Sequence, residues 1–135
     1  MGFVANEPYL WGVVFSDGDG NKRAWDVFTR EGFRHCWCFR KHGGGIMAYE
    51  YLAYRHDIRI QHHPFDTYCQ MQRLYGNNVL FIRHKPDVNM VYRPFYTCVE
   101  AVKAHIGIHS PLVLTPKALY NRLLKLGATN YSGAW

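Results

Sequence analysis

The stretch 32–54, GFRHCWCFRKHGGGIMAYEYLAY, decides how this chain is read. Two aromatic-rich runs, 33–40 and 46–54, flank the turn Lys41-His42-Gly43-Gly44-Gly45. Aromatic side chains suit a pleated, half-buried surface and the glycines supply the reversal, so the stretch predicts a β-hairpin. Closed symmetrically about the loop, it sets Phe39 opposite Ile46 and His35 opposite Glu50. Such partners share a face, with Cβ atoms about 5 Å apart. A slip of one residue would carry Glu50 to the other face. Cys36 and Cys38, two apart, point away from His35 and Trp37.

Outward from the hairpin, 9–16 (YLWGVVFS) reads as a first strand closed by the turn Asp17-Gly18-Asp19-Gly20-Asn21. That turn imitates the start of a calcium loop, but Lys22 stands where Gly is needed and Phe28 where Glu is needed. Residues 24–30 suggest a helical turn, and 57–61 (DIRIQ) a third short strand. Residues 64–75 read as a helix, with Pro64 near its start, Asp66 as candidate cap and Gly76 as stop. Residues 79–83 and 88–92 predict a second hairpin around Lys85-Pro86-Asp87. Thr97 and Glu100 form a capping-box pattern for a helix over 97–106, with Val99, Val102 and Ile106 as its apolar stripe and Gly107 as its end. A last helix runs over 116–126, opened by Thr115 and Pro116 and stopped by Gly127, with Leu119, Leu123 and Leu126 buried. Strands, a central helix, more strands and two helices give an α+β class, an antiparallel sheet with a Cys-bearing helix packed on it. We expect a single domain over 1–135, its core at about 9–126 and a polar, aromatic-tipped tail at 128–135.

At 135 residues, 48% hydrophobic and 19% charged, the chain can build a core of its own, which excludes a disordered tail. The net charge of +6 suits acidic partners of any kind, but the basic residues are scattered in short clusters such as Arg83-His84-Lys85. No apolar run approaches the roughly 20 residues of a membrane-spanning helix. The opening MGFVANEPYLW lacks the basic and apolar regions of a signal peptide, and Asn6 departs from a myristoylation signal. Secretion by signal peptide is therefore not expected. Four cysteines without an export signal are expected as reduced thiols. The Cys36-x-Cys38 pair and the adjacent His62-His63 are poorly spaced for zinc, so neither a metal nor another cofactor is expected.

Cys98 heads the capped helix, where unpaired N–H groups and the macrodipole favour a thiolate. A reactive cysteine also needs an imidazole, and His35 sits mid-strand among aromatics. Glu50, on the paired strand, is the candidate that would fix the imidazole tautomer. Each residue also has a plain structural reading: a small buried thiol, a core histidine, an exposed acid.

The blocks GFRHCWCFR, IMAYEY, FYTCVEAVKAHIGI and LTPKALYNRLLK resemble those of a group of small, mostly phage-encoded proteins. That group is in turn similar to the circularly permuted papain-like (NlpC-like) cysteine hydrolases. The resemblance covers about 9–126, with its specific part around His35 and Cys98. It implies a permuted papain-like fold with Cys98 as nucleophile, His35 as general base and Glu50 as orienter. Glu50 falls where the group often has Asp, and Tyr51 where it often has Pro. A peptide, amide or acyl substrate follows, in a host cytoplasm or a virion. Two other readings stay open. One is a virion or tail component that binds neighbouring virion proteins through aromatic surface and the 128–135 tail. The other is a basic nucleic-acid-binding module, using Lys117, Arg122 and Lys125 on the exposed side of the last helix.

Overall fold

A computed structural model describes residues 9–17, 31–52, 55–85 and 97–131. It shows a mixed α+β fold: an antiparallel sheet with helices packed on both faces. In chain order the elements are β1 (Tyr9–Ser16), β2 (His35–His42), β3 (Gly45–Leu52), β4 (Arg55–Gln61), α1 (Phe65–Leu74), β5 (Asn78–His84), α2 (Cys98–Ile106), α3 (Pro116–Lys125) and β6 (Thr129–Asn130). The sheet order is β4-β3-β2-β1-β5-β6. The expected 24–30 turn and the 88–92 strand lie outside the described residues.

β1 is central because its run is apolar on both faces, and Trp11 through Ser16 are all buried. Alternation then divides the core in two. Trp11, Val13 and Phe15 join Cys36, Cys38, Leu80 and Ile82 under α2 and α3, which contribute Val99, Val102, Ile106, Leu119 and Leu123. Val14, Trp37, Phe39, Ile46, Ala48 and Val79 face α1 through Phe65, Tyr68 and Cys69. Each fully buried side chain of this size contributes ~1.5–3 kcal/mol. Gly12 pairs with Phe39, and a Cβ there would lie 2.1 Å from the Phe39 ring, so only glycine lets that ring cross β1. The ring then packs on Phe65 and Tyr68, with centroids 4.9 and 4.6 Å away.

The β2–β3 hairpin closes two residues further along than symmetry about the loop predicts. His42 pairs with Gly45, Lys41 with Ile46 and Phe39 with Ala48. Gly43, at φ 59°, takes the first central position of a two-residue turn that a side chain would strain. The strands are accordingly displaced toward the turn, and Phe33 precedes β2. His35 faces Ser16 on β1, so Glu50 is its diagonal neighbour instead of its direct partner. Because the offset is two and not one, both side chains keep the same face.

The helix ends follow their caps. Thr97 accepts a hydrogen bond from the Glu100 N–H at 3.4 Å, and Thr115 one from the Ala118 N–H at 3.2 Å. At α1 the cap position is Pro64 with no side-chain cap, so Asp66 lies inside the first turn, where a carboxylate suits the dipole. In α3, Leu119 and Leu123 are buried, but Leu126 is the C-cap and is exposed, because the helix ends at Lys125. Of the expected 128–135 tail, 128–131 are described, and 132–135 lie outside the described residues. Thr129 and Asn130 pair with Phe81 and Leu80, and Tyr131 is buried. Lys103 is buried on α2 with its ammonium fully engaged. It donates to the carbonyls of Ser110 and Val113 at 3.0 and 2.9 Å and lies 2.6 Å from Glu100 Oε2. That anchors the α2–α3 connection to the helix bearing Cys98.

Candidate active site

One end of the sheet gathers the predicted residues. β1 ends there at Ser16, β2 begins at His35, β3 passes Glu50, and α2 begins at Cys98 against β2. Asp17 fixes the entry to β2: its Oδ1 accepts from the Gly32 N–H at 2.5 Å and lies 3.4 Å from Arg34 Nη1. The Arg34 N–H donates to Ser16 O at 2.9 Å. His35 therefore enters the sheet from a segment held on two sides.

His35 Nε2 lies 2.5 Å from Glu50 Oε2. The side chains are each only 13% exposed, so the contact is shielded from water. Glu50 Oε1 accepts from Arg59 Nη1 at 2.7 Å, and the same nitrogen donates to Asp57 Oδ2 at 2.7 Å. The β3–β4 register makes this possible by setting Glu50 opposite Asp57. The Trp37 ring lies 5.8 Å from the imidazole and is itself held by an indole N–H bond to Tyr68 Oη at 3.2 Å.

The Cys98 thiol interacts electrostatically with the His35 imidazole and with the Cys36 thiol. Interaction with Cys36 draws the Cys98 thiol well below its ordinary value. Burial opposes this, and the imidazole and the Cys36 backbone N–H reinforce it. For His35, burial disfavours the imidazolium, but Cys98 and Glu50 more than reverse this and raise it to about 9. Burial likewise works against the Glu50 carboxylate, and His35 and Arg59 hold it below its ordinary range. Together these directions favour a thiolate beside an imidazolium. The remaining thiols move the other way: burial pushes Cys69 up to about 12 and Cys38 higher still.

A cleft of about 530 Å³ opens at this end of the sheet, lined in part by Ser16, Asp17, His35, Trp37, Glu50 and Tyr75. The imidazole and carboxylate reach it. Cys98 is 8% exposed and is not part of the lining. Arg59 and Asp17 are the site residues that the sequence reading passed over. The signal for Arg59 was present in DIRIQ, whose alternation puts Asp57 and Arg59 on one face, but its acidic partner depended on the β3–β4 register. Asp17 was read only as part of a turn. Among the described residues no three His, Cys, Asp or Glu side chains are grouped to hold a metal ion. No described helix is long and apolar enough to cross a membrane.

Among the basic side chains of α3, Arg122 and Lys125 are exposed and Lys117 is half-buried. Lys117 Nζ sits 4.3 and 4.7 Å from the ring centroids of Phe33 and Tyr120, and Arg122 Nε donates to Ser110 Oγ at 3.2 Å. Comparisons with protein-family models, with curated proteins and with solved structures give no match. The functional reading therefore rests on the geometry of the site.

Proposed function

We propose that this protein is a cysteine hydrolase acting on an amide or ester carbonyl, with a papain-like arrangement of Cys98, His35 and Glu50. The observation that carries the reading is the His35–Glu50 pair at 2.5 Å, with the Cys98 thiol at a helix start interacting electrostatically with the same imidazole. That order of groups is what an activated nucleophile requires: a nucleophile, its base and an orienter for the base. Cys98 attacks as thiolate while His35 carries the proton, which His35 then delivers to the leaving group. Neutral His35 next takes a proton from the water that clears the acyl-enzyme. Glu50 acts as a positioning residue that holds the ring and stabilises the imidazolium. The first-turn N–H groups of Cys98 and Val99, which a helix cannot satisfy internally, supply the oxyanion donors. A peptide or acyl group entering along the Trp37 wall meets the imidazole and the carboxylate, which line the cleft.

Substitution of Cys98→Ala should abolish turnover of peptide and activated-ester substrates, a loss of at least ~10³-fold. The circular dichroism spectrum should be unchanged. Iodoacetamide should alkylate Cys98 selectively at neutral pH. Parent-like hydrolysis by the Ala variant, or equally sluggish labelling of all four thiols, overturns the reading.

A binding role in a larger assembly, such as a virion, is the second reading. It is favoured by Ile58 and Ile60, 61% and 57% exposed on the outermost strand β4. Sedimentation of the purified chain with and without Ile58→Lys tests it, with loss of self- or partner-association expected.

A further inference from the structure

Cys36 is the nucleophilic side chain nearest the site that hydrolysis does not use. It is wholly buried and points from β2 toward α2, in the same cluster as Cys98 and Val99. α2 packs on β2 and β3, which brings the helix start that bears Cys98 over the face of β2 that carries Cys36. The Cys36 and Cys98 thiols lie in one buried cluster between β2 and α2 and interact there, and both are free. Cys38 lies on the same face, but two residues further along the strand.

The geometry points to a second capacity of this pair: Cys98 reduces a hydroperoxide and Cys36 resolves the product as a Cys36–Cys98 disulfide, switching the site off reversibly. In the first step the Cys98 thiolate attacks the distal oxygen of ROOH. The S–O bond forms, the O–O bond breaks, and the departing RO⁻ takes the His35 proton to leave as ROH. In the second, the Cys36 sulfur attacks the sulfenyl sulfur. The S–S bond forms, the S–O bond breaks, and hydroxide leaves with the Cys36 proton as water. Two thiols are oxidised, and one hydroperoxide becomes an alcohol and water. Closing the bond needs the sulfurs to approach to about 2.05 Å. Because Cys36 is shielded from solvent, Cys98 is its natural partner, and the buried neighbour spares Cys98 from irreversible oxidation. The proposal uses the same sulfur as the hydrolase reading but requires no hydrolysis.

Full-length protein is treated with stoichiometric hydrogen peroxide, with and without dimedone, and mapped by peptide mass spectrometry. The expected result is a Cys36–Cys98 cross-linked peptide that dithiothreitol removes. Dimedone capture on Cys98 should be at least ~10-fold lower in the parent than in Cys36→Ser, where the sulfenic acid has no resolving thiol. If the parent yields no such cross-link and Cys98 proceeds to the dimedone adduct or sulfinic acid, the proposal is overturned. The parent map decides this even should Cys36→Ser fold poorly. Failure of hydrolysis leaves the cross-link readout untouched, so the two readings are separable.

Discussion

His35 concentrates the chemistry of the site in a single ring. Its raised value of about 9 is set by Cys98 and Glu50 acting against burial, so removing either partner should lower it. Nuclear magnetic resonance titration of the imidazole should show His35 holding its proton to about pH 9 in the parent and losing it at lower pH in Cys98→Ala. An unchanged titration would show that sulfur and ring do not interact. The same values set the shape of activity against pH. Turnover should fall as pH drops through the lowered thiol value, because the thiolate is protonated. It should fall again as pH rises through about 9, because the imidazolium is lost. The two limbs belong to the pair, not to either residue alone. For stability, the raised His35 contributes fully below its ordinary 6.5, and that contribution is lost as pH climbs through about 9. Glu50, held low, contributes above its ordinary 4.5 and loses that contribution as pH falls through its lowered value.

β4 is where a peripheral element acts on the centre. It has no catalytic group, yet its Arg59 braces Glu50 Oε1 at 2.7 Å while Glu50 Oε2 meets His35. Without the guanidinium the carboxylate keeps its ring contact but loses the restraint on its other oxygen. Arg59→Met should therefore lower kcat by ~10–100-fold, or about 1.4–2.7 kcal/mol of transition-state stabilisation, with KM little changed. It should also move the alkaline limb of the pH profile downward, as a less firmly held Glu50 stabilises the imidazolium less. A purely structural Arg59 would change stability and leave that limb in place. Arg59→Lys, which restores charge without the planar fork, should recover only part of the loss.

Across the whole molecule, the sheet is completed by residues far from the site in sequence. β6 caps the β5 edge, and Tyr131 fills the α1-side core beside Val14, Trp37 and Val79. Trp37 belongs both to that core and to the cleft wall, so packing at the chain's end supports the ring beside His35. Tyr131→Ala should lower the unfolding free energy by about 3 kcal/mol, the usual cost of deleting a buried aromatic ring. It should show as a reduced urea midpoint at constant slope. A freely exposed end segment would give no change.

The sequence by itself determined those features that depend on neighbours along the chain. Thr97 and Thr115 marked helix starts because a hydroxyl three residues ahead of an N–H meets it whatever surrounds the helix. Apolar runs and their period marked β1 and the buried faces of α2 and α3. His35, Cys98 and Glu50 were legible as candidates from residue type, local element and resemblance. Register and long-range pairing were not. The two-residue offset of the β2–β3 hairpin followed from how Gly43 closes the turn. The role of Arg59 followed from the β3–β4 register, and the docking of Tyr131 from the pairing of β6 with β5. These were decided in three dimensions because side-chain period fixes which face a residue takes, whereas its partner on that face is chosen by the packing of distant segments.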